Sequence, residues 1–182
     1  MSAVMELPVQ ETAVEMPKLY EIVNGQMEEK EMAGARHGGV GGRLFIKLGN
    51  FVYDRTLGGL YGPDTMFTIG TNNRMPDISF VSLARIPVEG EPEGKWKIAP
   101  DLAIEIISPT DYLEDATNKI RDYFAAGVRQ VWQISTKYRT VTVYHAPTRV
   151  TILTEEDTLT CEELLPGFSC PLRDIFALPR AA

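Results

Sequence analysis

Ala99-Pro100-Asp101-Leu102-Ala103-Ile104-Glu105-Ile106-Ile107-Ser108-Pro109 is the stretch on which the fold turns. From Leu102 to Ile107 every residue except Glu105 is apolar, and proline closes the run on both sides. A short, Ile-rich run of this kind predicts a central strand covered on both faces. An ionised carboxylate in such a strand is strongly disfavoured unless a metal, a cation or a set of donors compensates it. Glu105 therefore requires a partner, to be sought in the flanking chain.

Downstream, Ser108-Pro109-Thr110-Asp111 offers helix-capping side chains. They predict a helix to about residue 126, with Leu113, Ala116, Ile120 and Tyr123/Phe124 on its inner stripe and Gly127 at C′. Residues 128–135 form the next strand, giving a βαβ unit with a right-handed crossover. Thr136-Lys137-Tyr138-Arg139 then turns into a hairpin partner over 140–144, and 150–153 is an edge strand. Leu164-Leu165-Pro166-Gly167-Phe168 and Asp174-Ile175-Phe176 supply closing apolar anchors.

Upstream, Met75-Pro76-Asp77-Ile78-Ser79-Phe80-Val81 alternates as a strand, with Ile78 and Phe80 on one face and Asp77, Ser79 and Val81 on the other. Before it stand a turn at Leu57-Gly58-Gly59, a short strand over 65–69 and a loop at Asn72-Asn73. Residues 87–97 read as an exposed Gly/Pro/Glu loop. Between residues 35 and 56, apolar positions recur at three and four, the period of a helix. Its early glycines suit close helix–sheet packing better than a phosphate loop, because no Gly-Lys-Ser/Thr follows. Asn24-Gly25 predicts a hairpin over 19–32, since both turn residues tolerate positive φ. Residues 1–17 read as a mobile leader, leaving 18–182 as a single domain.

Bulk composition narrows the function classes. A chain of 182 residues suits one domain with a proper core. Its 44% hydrophobic and 24% charged residues are globular rather than disordered composition. No apolar run approaches the ~20 residues that span a bilayer, so no membrane partner is expected. Residues 1–17 lack the basic start and continuous apolar core of a secretory signal. Cys161 and Cys170 have no zinc spacing and read as reduced thiols of a cytoplasmic protein. The net charge of −7 weighs against a nucleic-acid partner. It does not exclude an enzyme that meets phosphates through a bound divalent cation.

Three residues now converge. Asp77 opens one strand, Glu105 lies in the next, and Lys119 lies on the crossover helix. Each also has a plainer reading. Asp77 can accept backbone hydrogen bonds at a strand start, Glu105 can form a structural ion pair with Lys119 or Arg121, and Lys119 can pair with Asp115 one helical turn earlier.

In these stretches the chain resembles the PD-(D/E)XK nuclease superfamily, and in particular its Uma-type branch of bacterial restriction-endonuclease-like proteins. The matching pieces begin with Tyr20-Glu21-Ile22-Val23-Asn24-Gly25, Glu29-Lys30, Pro76-Asp77-Ile78-Ser79-Phe80-Val81 and Ala99-Pro100-Asp101-Leu102 through Pro109. They continue with Lys119, Tyr123, Ala126-Gly127-Val128, Val131-Trp132 and Leu165-Pro166-Gly167-Phe168. The resemblance implies an α/β fold with a mixed sheet flanked by helices, a restriction-endonuclease-like core. It implies Asp77, Glu105 and Lys119 as catalytic residues of a nuclease, with DNA ahead of RNA as substrate and a homo-oligomer, a dimer first, as the assembly. Asp77 and Glu105 would hold Mg²⁺, with Mn²⁺ as a substitute and the Ile106 carbonyl as a further ligand. The superfamily pattern expects lysine two residues after Glu105, where Ile107 stands; in this branch the helix supplies it, which maps it onto Lys119. Glu29, His37 and Gln133 are accessory candidates. Glu29 is equally an exposed hairpin residue, His37 a solvated helix-start residue, and Gln133 a satisfied core polar group.

Overall fold

A computed structural model of the chain describes residues 18–30, 33–107 and 113–178. The predicted leader, the capping segment 108–112 and the inner-stripe side chain of Leu113 lie outside the described residues. The centre is a six-stranded mixed sheet of β3 (Gly58–Tyr61), β6 (Ile78–Ser82), β7 (Leu102–Ile107), β8 (Gln130–Ser135), β9 (Thr140–Ala146) and β10 (Arg149–Thr154), in the order β10-β9-β8-β7-β6-β3. Only the β7–β8 pair is parallel, because the helix α2 (Leu113–Ala125) carries the chain back between them. Gly127, at φ +91°, ends that helix as the sequence predicts.

A second, antiparallel sheet orders β2 (Gln26–Lys30), β1 (Leu19–Val23), β5 (Asn72–Arg74) and β4 (Phe67–Ile69). Asn24 and Gly25 both take positive φ, 51° and 79°, as a tight hairpin turn requires. The long helix α1 (Ala35–Asp54) lays Val40, Leu44, Leu48 and Val52 against one face of the large sheet, where Ile78, Phe80, Ile104, Ile106 and Trp132 are buried. The C-terminal segment closes the same core with Leu159, Leu165, Phe168 and Ile175; it contains the hairpin β11 (Thr158–Thr160) and β12 (Ser169–Pro171) and the short α3 (Arg173–Phe176). On the opposite face, Val81, Ala103 and Val131 pack with Ile120 and Tyr123 of α2 and with Phe67, Ile69 and Trp96.

Three local expectations are corrected. The segment from Gly58 is an edge strand rather than a turn, pairing antiparallel with β6. A Cβ at Gly58 would stand 2.1 Å from the Val81 carbonyl oxygen, so the close approach itself requires glycine. Asn72 and Asn73 form a strand rather than a loop, because long-range partners satisfy their side chains. The Asn72 Oδ1 accepts from the Asn24 N–H at 2.9 Å, and the Asn73 Oδ1 accepts from Lys95 Nζ at 2.9 Å. Trp96, at the end of the predicted exposed loop, is buried and stacks on Phe67.

Candidate active site

Alternation along β7 sends Ile104 and Ile106 into the α1-side core, leaving Ala103 and Glu105 on the α2 side. The antiparallel register pairs Ile78 with Ile104. Continued by one step, it sets Asp77 opposite Glu105. The Asp77 carboxylate closes this junction by accepting the Ile106 N–H through Oδ2 at 2.7 Å. Thus Ile106 meets Asp77 through its N–H, while its side chain belongs to the core.

Asp77 is buried and faces two basic side chains. Lys30 Nζ lies 3.3 Å from Oδ1 and His37 Nε2 lies 3.2 Å from Oδ2. Burial alone would raise the Asp77 carboxyl, but His37, Lys30 and the Ile106 N–H outweigh it and hold it below its usual value. Lys30 is itself fixed by donating to the Met75 carbonyl at 2.6 Å. His37, on the first turn of α1, is therefore half-buried against a carboxylate rather than solvated at the helix start.

Glu105 accepts from the Tyr123 hydroxyl at 2.5 Å, and its second oxygen lies 3.5 Å from Lys119 Nζ. Burial first, then the negative charges of Asp77 and Glu21, push its carboxyl above the usual range, with Lys119 and Lys30 opposing. Burial with the nearby Glu105 and Glu21 keeps the Tyr123 phenol well above its ordinary value, so it stays a neutral donor. The Glu105 side chain remains 13% exposed. Lys119 bends back from α2 to the strand, as a four-carbon stem allows, and its charge is held on by Glu105 and Glu21 against the cost of burial.

The structure brings Asp77, Glu105 and Lys119 together. Gln133 is the register partner of Glu105 on β8, and its Oε1 accepts from Tyr144 at 3.4 Å. Glu29 departs from the expected cluster: it is exposed and paired with Lys18 at 2.8 Å, because strand parity puts it on the opposite face from Glu21 and Lys30. Two residues that were not candidates do enter. Glu21 is 4% exposed, with its Oε2 3.4 Å from Lys119, and Lys30 reaches Asp77 from the same hairpin. A signal for Glu21 was present, since period two puts it on one face with Leu19 and Val23, where a carboxylate is out of place.

Asp77 and Glu105 offer only oxygen donors, the type hard divalent cations take. Among the described residues no group of three or more His, Cys, Asp or Glu side chains forms a ready metal cage. Two carboxylates with the remaining positions left to water is nevertheless the usual way a protein holds Mg²⁺. The donor set fits such an ion.

The architecture is an α/β protein with a mixed sheet, helices on both faces, and Asp77 and Glu105 on adjacent strands. The fold is similar to that in the crystal structure of a putative nuclease belonging to DUF820 from Anabaena variabilis. That chain is 23% identical, with a TM-score of 0.79 over 88% of this chain and 93% of that one. No curated protein matches. The model of the Uma2 family, described as putative restriction endonuclease, matches residues 6–173, and the chain belongs to that family. Among the described residues no helix is long and apolar enough to cross a membrane.

Proposed function

We propose that the protein is a metal-dependent endonuclease-like phosphodiesterase acting on nucleic acid, DNA ahead of RNA. One observation carries the reading: the β6–β7 register, continued by one step, sets Asp77 opposite Glu105, and the Lys119 ammonium lies 3.5 Å from Glu105. Membership of the Uma2 family supports it. Asp77 and Glu105 would hold a divalent cation, Mg²⁺ with Mn²⁺ as substitute. When bound, such an ion lowers the pKa of its water and acts as a Lewis acid on the phosphoryl oxygen. The Ile106 N–H and Lys30 orient the Asp77 carboxylate, and Tyr123 orients Glu105. Lys119 would orient the attacking water or stabilise charge gathering on the phosphoryl oxygens. His37 and Gln133 flank the two acids and would meet the substrate or its water. The same proposal takes residues 18–182 as one cytoplasmic catalytic domain that self-associates as a homodimer.

The purified protein should cleave plasmid or single-stranded DNA in Mg²⁺ or Mn²⁺, and Asp77→Ala and Glu105→Ala should abolish this. Equal cleavage by those variants would remove the assignment. A second reading, a non-catalytic binding module, is favoured by the net charge of −7 and by Ile107 standing where the wider pattern has lysine. A protein that neither binds Mn²⁺ nor gains thermal stability from it would support that reading instead.

A further inference from the structure

The N-terminal hairpin adds an acid to the site that the carboxylate pair does not account for. Glu21 of β1 is 4% exposed, and both its oxygens are used. Oε1 accepts the Met75 N–H at 2.8 Å, two residues before Asp77. Oε2 accepts from Arg74 at 3.1 Å and lies 3.4 Å from Lys119 Nζ. Arg74 in turn donates to Asp122 at 2.7 Å, and Asp122 lies three residues after Lys119, on the same face of α2. The charges therefore alternate along one chain: Glu105, Lys119, Glu21, Arg74, Asp122. It runs from the large sheet through Lys119 of α2 to Glu21 and Arg74 of the small sheet and back to Asp122 of α2.

An ammonium on a four-carbon stem is a mobile point charge and needs external restraint to hold one place. At 3.4 and 3.5 Å the Lys119 ammonium is divided almost evenly between Glu21 and Glu105. With Glu105 as sole partner it would close onto that carboxylate and occupy the oxygens a cation needs. The geometry points to Glu21 as a positioning residue: it holds Lys119 off Glu105 and, through the Met75 N–H, fixes the approach to Asp77. Its consequence for cleavage rests on the phosphodiesterase reading; the placement of Lys119 does not.

The test pairs Glu21→Gln with Asp122→Asn, which cuts the same chain at its far end. Gln keeps an acceptor for the Met75 N–H but removes the charge that holds Lys119. Two measurements are made on each variant and on wild type: the side-chain ammonium ¹⁵N resonance of Lys119, and the single-turnover cleavage rate in Mn²⁺ alongside the substrate KM. Glu21→Gln should shift or broaden the Lys119 resonance and slow the single-turnover step at least tenfold with KM within about twofold. Asp122→Asn should leave both near wild type. Glu21→Asp, which restores the charge on a shorter stem, should recover part of the rate. An unchanged Lys119 resonance in Glu21→Gln overturns the proposal, as does an equal loss of rate in both variants, which marks a merely structural network. If wild-type protein cleaves nothing, the phosphodiesterase reading fails, while the resonance still decides where Lys119 is held.

Discussion

The carboxylate of Asp77 rests on the peptide N–H of Ile106, 2.7 Å away, and so sits against the backbone of the residue next to Glu105. Strand pairing, rather than side-chain reach, brings the two acids together.

Asp77 ties acid stability to this contact. Its folded carboxyl lies below the ordinary value of 3.8, so the unfolded chain binds the proton more tightly. The stability it contributes is fully present above 3.8 and is lost as pH falls through the folded value. Asp77→Asn should cost on the order of 2 kcal/mol near neutral pH. It should also show a smaller drop in Tm than wild type as pH is lowered from about 5 to about 3. Thermal melts across that range check both.

Glu105 behaves oppositely. Burial holds its folded carboxyl above 4.5, so its ionised form opposes folding near neutral pH and the penalty is relieved as pH falls toward the unfolded value. Glu105→Gln keeps an acceptor for Tyr123 and leaves Glu21 to pair with Lys119. Cleavage should vanish while Tm rises by a few degrees; about 1 kcal/mol moves Tm by roughly 2–4 °C in a chain of this size. A fall in Tm would mean that the site does not penalise the charge.

Lys119 competes with any cation for the Glu105 oxygens. Lys119→Met should lower the single-turnover rate by roughly 10²–10³-fold, the usual effect of deleting a charge-stabilising donor. Mn²⁺ affinity, measured by calorimetry, should stay the same or tighten.

Glycines on α1 differ in what surrounds them. A Cβ at Gly41 would lie 2.9 Å from the Cδ1 of Ile106, whereas nothing lies within 4 Å of one at Gly42. Gly42→Ala should raise stability by up to ~1 kcal/mol through helix propensity. Gly41→Ala should lose that gain by pressing on the strand that carries Glu105. Denaturant melts of the two single variants give the comparison.

The βαβ unit is legible in the sequence because its apolar run, the helical period of Ala116, Ile120 and Tyr123, and Gly127 agree on one structure. Glu105 stands out as a lone carboxylate in an apolar strand, whereas Asp77 and Lys119 are singled out by the family resemblance, and the structure sets both near it. The edge strand at Gly58 and the strand at Asn72 are not, since glycine and asparagine have low strand propensity; the first pairs with β6 some twenty residues on, and the second is held between the neighbouring β4 and the distant β1. Although period two turns Glu21 inward, what Glu21 and Lys30 meet is hidden because their hairpin looks like a polar surface element. Its pairing with β5 through Ile22 and Asn73 carries it to the site, a contact between residues 51 apart that no local pattern encodes. Glu29 is the converse case, a motif residue whose strand parity turns it toward Lys18.

An Mn²⁺-soaked crystal, examined at the manganese absorption edge, tests the shared-cation geometry most directly. An anomalous peak within about 2.1–2.4 Å of carboxylate oxygens of both Asp77 and Glu105 is the predicted result. No peak between them at saturating Mn²⁺, or one bound elsewhere on the chain, would contradict it.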